Sequence, residues 1–187
     1  MAARDGSETV PMNRTTLERT SESELVITRT FNGPARIVFD AWTRPELVRR
    51  WWAPGCRDVA MVSCDAEVRA GGRYRYVLRH GKHGEFAFTG TYREVTPHTR
   101  LIYTEIFEPD GQAGEDGDGA LVTVTFLEHE GKTHLMSHSL FPSKEVLDSV
   151  LATGMEGGMR ETMEQLEALV QELSKDEGRR TRDEGEA

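Results

Sequence analysis

Two kinds of hydrophobic periodicity divide the chain. Short runs in which apolar and polar residues alternate begin with ELVITRTF and recur up to about residue 140, each ended by Gly, Pro or Asn. Such runs are typical of strands that bury one face. From Val146 to Leu173 the apolar residues instead follow a three-four spacing, which is typical of one face of an α-helix. The pattern therefore predicts a sheet followed by one long C-terminal helix.

The alternating runs predict a meander. After the first strand come DVAMVSCDAEV, RYRYVLR, EFAFTGTYREV, RLIYTEIFE, LVTVTFLE and THLMSHSL. Together they predict an antiparallel sheet of about six to seven strands. Because a helix of about thirty residues needs a large surface to cover its apolar stripe, we expect an α+β fold in which a curved sheet wraps around the C-terminal helix.

Two short helices are predicted between the first and second strands. Pro34 suits a first helical turn, and ARIVFDAW places Trp42 on the apolar stripe of that helix. Pro45 begins the second helix, which Pro54-Gly55 ends. At the other end of the chain, Ser143 is the predicted N-cap of the long helix.

The two ends of the chain are polar and lack periodicity. We expect residues 1–23 to be a flexible segment, residues 24–173 to form a single domain, and residues 174–187 to be a disordered charged tail. The chain shows no signal-peptide pattern and no long apolar run, so no membrane insertion is expected. Its two cysteines, Cys56 and Cys64, fit neither a disulfide framework nor a zinc ribbon. A cytoplasmic location is expected.

The negative charge is concentrated in one segment. The formal net charge is −9, and Glu108 to Asp118 holds five acidic residues and no basic one. The rest of the chain is nearly balanced, which argues against a nucleic-acid surface. The acidic segment is a candidate contact for a protein partner, and a homodimer formed through an edge strand or the short helices remains open.

The apolar face of the predicted sheet is rich in aromatic residues. Alternation places on this one face a set of six rings: Tyr74, Tyr76, Phe86, Phe88, Tyr92 and Tyr103. Buried phenol hydroxyls need hydrogen-bond partners, and Gly90 in mid-strand leaves a bend or a space. Met155 and Met159 of the long helix would form a pliable wall opposite this face. Plain core packing accounts for any single ring, but the whole set favours a cavity for a hydrophobic small molecule.

Trp51 and Trp52 are expected to have different roles. Neighbouring side chains on a helix point about 100° apart, so both indoles cannot enter one core site. We expect one to anchor the second short helix to the sheet and the other to roof the cavity.

Catalytic chemistry has few candidates. No nucleophile motif, phosphate loop, cofactor fingerprint or metal-ligand set is identifiable, so neither a cofactor nor a metal is expected. Ordinary surface or hydrogen-bonded histidines are favoured, but His138 shares a strand face with Met136 and Leu140, and a half-buried imidazole there could contact a ligand and serve as an acid or base. Glu67 and Glu105 could be buried carboxylates with a raised pKa, although exposure at a strand edge is favoured. Binding without catalysis is therefore the favoured interpretation.

Several of these segments together resemble a known family. WW-x-PG, GG-x-Y-x-Y and FPS occur in this order within a match that extends from about Glu24 to Leu173. They are similar to the bacterial relatives of the activator of the heat-shock protein ninety ATPase. That family lies within the START-related, birch-pollen-allergen-like superfamily of helix-grip folds, also called SRPBCC.

The resemblance implies a deep hydrophobic tunnel between the sheet and the C-terminal helix, used in the superfamily for lipids, polyketides and other apolar compounds. It implies that Trp51 and Trp52 form the lid, that Tyr74 and Tyr76 belong to the sheet wall, and that Met155 belongs to the helix wall. Relatives often have Gly-Trp where this chain has Gly154-Met155, which implies a wider or more adaptable pocket. The superfamily also includes cyclases. The chaperone-gripping N-terminal domain of the activator has no counterpart, so co-chaperone function is not expected.

Overall fold

Eight antiparallel strands form one sheet in the computed structural model, which describes residues 14–110 and 119–185. The strands are β1 (Thr16–Arg19), β2 (Glu24–Phe31), β3 (Val59–Ala66), β4 (Arg73–His80), β5 (Gly84–Thr96), β6 (Arg100–Glu108), β7 (Ala120–His129) and β8 (Lys132–Leu140). Their spatial order is β1-β2-β8-β7-β6-β5-β4-β3. All the strands predicted from alternation are present, which confirms the α+β fold, and the sheet has one further strand.

The further strand, β1, lies in the segment that was predicted to be flexible. Leu17 pairs with Ile27 of β2, and the Thr16 and Thr28 hydroxyls lie 2.5 Å apart. Pairing with β1 satisfies backbone groups along the outer edge of β2. The expectation of flexibility is thus corrected for Thr16–Arg19, because four residues with one apolar side chain carry too little periodicity to be recognised.

The described residues contain four α-helices: α1 (Ala35–Thr43), α2 (Pro45–Val48), α3 (Lys144–Ala152) and α4 (Met155–Gly185). The first two are the predicted short helices, but α2 ends at Val48 and not at Pro54-Gly55. Trp51 and Trp52 therefore lie in the turn that follows α2 and not on the helix. A single 3₁₀ turn, Gly55–Arg57, follows α2. The core contains the inward residues of the strands together with α1 and four buried residues of α4: Met163, Leu166, Leu169 and Val170.

The predicted long helix is two helices. Ser143 is the N-cap of α3, as predicted, and its Oγ accepts a hydrogen bond from the Val146 N–H at 3.4 Å. Gly154 then has a φ of +72°, a left-handed conformation that ends the first helix, and α4 begins at Met155. The three-four spacing continues across this break, so periodicity alone did not reveal it.

Helix α4 extends beyond Leu173, where a disordered tail was expected, and is helical to Gly185. Glu177 forms an ion pair with Arg36 of α1. Residues 174–185 contain no proline and mix charges of both signs, so a helix already packed on the sheet can continue through them. The composition of such a charged, glycine-containing segment is therefore compatible both with a helix and with a disordered tail.

A buried arginine joins α4 to the sheet. Arg29 points inward from β2, and its side chain is 1% exposed. Its Nη1 and Nη2 donate to the two carboxylate oxygens of Glu164 at 2.8 and 3.0 Å, and Nη1 also donates to Thr15 Oγ1 at 2.8 Å. This bidentate pair fixes the position of α4 along β2.

No helix in the described ranges is both long enough and apolar enough to cross a membrane.

Candidate functional site: an aromatic cavity under Trp52

A small cavity lies between the sheet and the segment that carries the tryptophans. Its walls are six aromatic side chains and one carboxylate: Trp42, Trp52, Tyr74, Tyr76, Tyr92, Tyr103 and Glu105. The cavity volume is about 10 Å³, which is room for about one water molecule. We call this space the aromatic cavity.

Strand register brings the four tyrosines together. Tyr74 and Tyr76 lie on β4, and Tyr92 of β5 is directly opposite Tyr103 of β6. All four are buried, and the ring centroids of Tyr74 lie 5.0, 5.6 and 5.6 Å from those of Tyr76, Tyr92 and Tyr103. The sequence prediction that these rings share one inward face is confirmed.

Gly90 permits this close packing. It lies directly opposite Tyr74, and a Cβ at this position would be 1.7 Å from the Thr104 carbonyl oxygen and 2.7 Å from Tyr74 Cε1. The space expected at Gly90 is therefore filled by the Tyr74 ring and by the β6 backbone. Tyr74 can occupy this position only because residue 90 has no side chain.

Trp51 anchors the segment above the cavity. It is 1% exposed, and its indole Nε1 donates to the Ala41 carbonyl oxygen at 2.8 Å. This carbonyl belongs to the last turn of α1, and the residue four positions later is Pro45, which has no N–H to donate. The indole thus supplies the hydrogen bond that the helix cannot provide.

Trp52 roofs the cavity. It is half-buried, and its ring centroid lies 5.4 Å from that of Tyr76 and 6.2 Å from that of Phe88. The two indoles thus have different surroundings, and the lid role of Trp52 over a ligand stays a prediction. Trp42, which the sequence assigned to the core, is buried and also lines the cavity.

A cluster of three phenylalanines continues outward from Trp52. Phe86, Phe88 and Phe107 have ring centroids 5.4 to 6.1 Å apart. Phe88 and Phe107 are directly opposite on β5 and β6, and Phe107 is 52% exposed. We call these residues the phenylalanine cluster. They form an apolar path from the surface to Trp52.

Gln165 of α4 holds the loop that follows Trp52. Its Nε2 donates to the carbonyl oxygens of Trp51 and Ala53 at 2.7 and 2.8 Å, and its Oε1 accepts from the Gly55 N–H at 3.1 Å. Three hydrogen bonds from one side chain fix where this loop lies over the cavity. The position of Gln165 between Glu164 and Leu166 gave no signal of this role.

Glu105 is the charged residue of the cavity. It shares the inward face of β6 with Leu101 and Tyr103. Burial of the carboxyl group raises its pKa to about 7, and hydrogen bonding from Tyr74 opposes this rise only in part. Glu105 is half-buried on β6, a strand that is paired on both sides, so the expected position at an exposed strand edge is wrong for it. Glu67 is exposed and paired with Arg69 at 2.6 Å.

The tyrosine hydroxyls remain protonated. Burial raises the pKa of Tyr92 to about 12 and holds the pKa values of Tyr74, Tyr76 and Tyr103 well above the ordinary tyrosine range. Tyr74 donates its hydroxyl hydrogen to the Thr104 carbonyl oxygen at 3.1 Å. Of the groups that line the cavity, only Glu105 titrates near neutral pH.

Six of the eleven predicted site residues do not line the cavity. Trp51 is the anchor, and Phe86 and Phe88 belong to the phenylalanine cluster. The other three lie further away. Met155 and Met159 are half-buried on the first turns of α4, and neither lines the cavity, because the break at Gly154 makes this stretch the end of a helix and not its middle. His138 is on the outer face of β8, beside Glu24 at 3.5 Å. Inward positions on β8 belong to Thr133, Leu135 and Ser137, so the alternation excludes His138 from the pocket.

The deep tunnel implied by the resemblance is also absent as an open space in the described residues. The aromatic rings fill the interior and leave the aromatic cavity alone beneath Trp52. A separate open depression of about 610 Å³ follows β3 and β4, and charged side chains such as Asp65, Glu67 and Arg73 border it. Within the described ranges, no three His, Cys, Asp or Glu side chains are grouped as metal ligands would be.

The fold and the aromatic inward face define a helix-grip protein. The sequence model of the family described as Activator of Hsp90 ATPase homolog 1-like protein matches residues 32–171, and the chain belongs to this family. No curated protein matches the sequence.

Solved structures of similar proteins have the same fold. A Rhodobacter sphaeroides protein is 26% identical with a TM-score of 0.73, over 84% of this chain and 98% of that one. A Staphylococcus epidermidis protein is 28% identical with a TM-score of 0.69, over 84% and 94%. An Arthrobacter aurescens protein is 24% identical with a TM-score of 0.73, over 84% and 91%.

Proposed function

We propose that the protein binds a hydrophobic or aromatic small molecule against its inward aromatic face, beneath Trp52. The observation that carries this proposal is the continuous aromatic surface from the exposed Phe107, through Phe88 and Trp52, to the tyrosines of the cavity. Apolar surface with a few inward polar groups is the usual lining of small-molecule sites.

Binding requires the closed form to open. A cavity of about 10 Å³ holds no organic ligand, so Trp52 and the phenylalanine cluster must move apart to admit one. Trp52 and Phe88 are both half-buried, whereas the anchoring Trp51 is fully enclosed. Rotation of the outer rings would widen the site and leave the anchor in place.

A matched pair of variants tests this entry route. Phe107→Asp places a charge on the phenylalanine cluster, and Leu127→Asp makes the same change on the outer face of β7, where Leu127 is 67% exposed. Neutral probes of increasing size, 2-phenylethanol, 1-naphthol and Nile red, are titrated while tryptophan or probe fluorescence is recorded.

We expect saturable binding that Phe107→Asp weakens at least tenfold and that Leu127→Asp leaves within twofold of wild type. Equal loss in both variants, or no saturable binding of any probe, would contradict the proposal.

A second candidate is an enzyme in which Glu105 transfers protons. A carboxyl group with a pKa of about 7 inside an aromatic cavity is suited to general acid–base catalysis. Turnover of a bound compound that Glu105→Gln abolishes, with binding retained, would favour this candidate. A protein-contact role for the acidic segment concerns mainly residues 111–118, which lie outside the described residues.

A further inference from the structure

Glu105 is an unusual residue in the lining of a cavity that is otherwise aromatic. The other side chains that line its cavity are Trp42 from α1, Trp52 from the turn after α2, Tyr74 and Tyr76 from β4, Tyr92 from β5 and Tyr103 from β6. On the neighbouring strand β7 it pairs with Ala120, which carries no charge. The described residues that line the cavity thus include one carboxyl group and no Lys, Arg or His.

Such a lining suits a cation better than any other polar group. The π-faces of Trp and Tyr attract ammonium groups, and the attraction grows when water is excluded. A carboxylate accepts charge-assisted hydrogen bonds from an ammonium group. An anionic ligand would instead meet Glu105 and the formal net charge of −9 on the chain.

Glu105 also has acceptor capacity to spare. Hydrogen bonding from the Tyr74 hydroxyl lowers the pKa of Glu105, but this hydroxyl has one hydrogen, for which the Thr104 carbonyl oxygen at 3.1 Å competes. A carboxylate can accept about four hydrogen bonds. Glu105 lines a space the size of one water molecule, which is also about the size of a primary ammonium group.

We propose that the ligand is an apolar primary amine, whose ammonium group enters the aromatic cavity beside Glu105 and whose apolar body lies along Trp52 and the phenylalanine cluster. This inference rests on the proposed function and adds the chemical class of the ligand. The carboxylate selects for the amine, and the aromatic path selects for the apolar body.

Amine binding should depend on pH through Glu105. The four tyrosines facing it stay neutral, and its own pKa is about 7, so the carboxylate forms as the pH rises from 6 to 8. An alkyl amine stays protonated throughout this range. The affinity for an amine should therefore increase about tenfold from pH 6 to pH 8 by proton linkage, while the affinity for a matched alcohol stays constant.

The experiment compares three probes with the same phenyl body: 2-phenylethylamine, 2-phenylethanol and 3-phenylpropionate. Dissociation constants are measured by calorimetry at pH 6 and pH 8 for wild type, for Glu105→Gln and for Glu94→Gln. Glu94 lies on β5 and pairs with Arg100 at the surface, so its variant removes a carboxylate outside the cavity. Circular dichroism confirms that each variant is folded.

We expect wild type and Glu94→Gln at pH 8 to bind the amine at least tenfold more tightly than the alcohol, and to bind the propionate more weakly than the alcohol. Glu105→Gln should bind amine and alcohol equally. If wild type binds the alcohol and the amine equally, or if Glu105→Gln keeps the preference, the amine inference is overturned while the proposed function stands. If none of the three probes binds and Nile red also fails to bind, both are overturned.

Discussion

Trp51 and Trp52 are adjacent in the sequence but have different roles. Trp51 stabilises the fold, and Trp52 lines the candidate site. The Trp51 indole completes the hydrogen bonding of α1 at Ala41, where Pro45 provides no N–H. Trp52 contacts Tyr76 and Phe88 and remains half-buried above the cavity. The sequence predicted that the two indoles differ, but the assignment of each role required the position of the Ala41 carbonyl.

Trp51→Phe should therefore be the more damaging substitution of the pair. It removes a buried hydrogen bond and leaves the Ala41 carbonyl without its donor, which costs about 2–3 kcal/mol of unfolding free energy. Trp52→Phe should cost about 1 kcal/mol, because its ring is only half-buried. Urea unfolding of both variants measures the difference, and an equal loss would contradict the division of roles.

Glu105 should make the protein less stable at alkaline pH. Its folded pKa of about 7 lies above the ordinary value of 4.5. The folded state therefore holds its proton more tightly, and stability is complete below the unfolded pKa and decreases as the pH rises through 7. Glu105→Gln should raise the unfolding free energy at pH 8 by roughly 2–3 kcal/mol, with a smaller gain toward pH 5.

Chemical unfolding across pH 5 to pH 8 checks this prediction, with Glu94→Gln as the control. Glu94 is at the surface, and hydrogen bonds from Thr96 and Arg100 lower its pKa. Its variant should show no gain on the alkaline side. A gain of the same size in both variants, or none in Glu105→Gln, would contradict a buried Glu105 carboxyl.

At the scale of elements, the pair of Arg29 and Glu164 attaches α4 to the sheet asymmetrically. The Arg29 side chain is 1% exposed and that of Glu164 is 67% exposed. The free-energy cost of removal from water therefore falls mainly on the guanidinium group. Its buried Nε has no hydrogen-bond partner among the described atoms. Loss of the Glu164 carboxylate should therefore destabilise the protein more than loss of the Arg29 guanidinium group.

Glu164→Gln should destabilise the fold more than Arg29→Met does. The first change leaves a buried guanidinium without its charged partner, at a cost of about 2 kcal/mol, whereas the second replaces it with an apolar chain of similar length. Arg29 lowers the pKa of Glu164, so the stabilisation is lost as the pH falls through that lowered pKa. Urea unfolding at pH 7 and at acidic pH measures both effects, and the reverse order of stability would contradict this account.

The presence and type of the strands and helices were largely predictable from the sequence, but the residues at which the C-terminal helices begin and end were not. Alternation identified β2 to β8 because each strand buries one face, and the three-four spacing identified the apolar stripe of α3 and α4. The left-handed Gly154 interrupts that stripe without changing the spacing, and the helix beyond Leu173 depends on a core-packed helix from which it continues. Both features depend on tertiary structure and leave little trace in hydrophobic periodicity.

At the scale of the whole molecule, the candidate site was predictable where the sheet forms it. Tyr74, Tyr76, Tyr92 and Tyr103 are inward because strand periodicity requires it, and the same rule places Glu105 inward and His138 outward. What the sequence could not supply is the distance of Met155 and Met159 from the cavity. That distance follows from where α4 begins, which the break at Gly154 sets.

The closed interior is the other property that the sequence missed. Aromatic rings can either line a tunnel or pack against one another, and residue types do not distinguish the two. Here the rings pack at centroid distances of 5.0 to 6.3 Å, which leaves a cavity of about 10 Å³. The proposed ligand must therefore open a site that the free protein keeps closed.

The most direct test of the central claim is an NMR titration of the wild-type protein with 2-phenylethanol, which is neutral and so independent of Glu105. Binding beneath Trp52 predicts that the Trp52 indole N–H and the amides of Phe88 and Phe107 shift most, with one saturation curve, and that Leu127 and Met136 on the outer face do not shift. Shifts confined to the outer face, or shifts that never saturate, would contradict the claim.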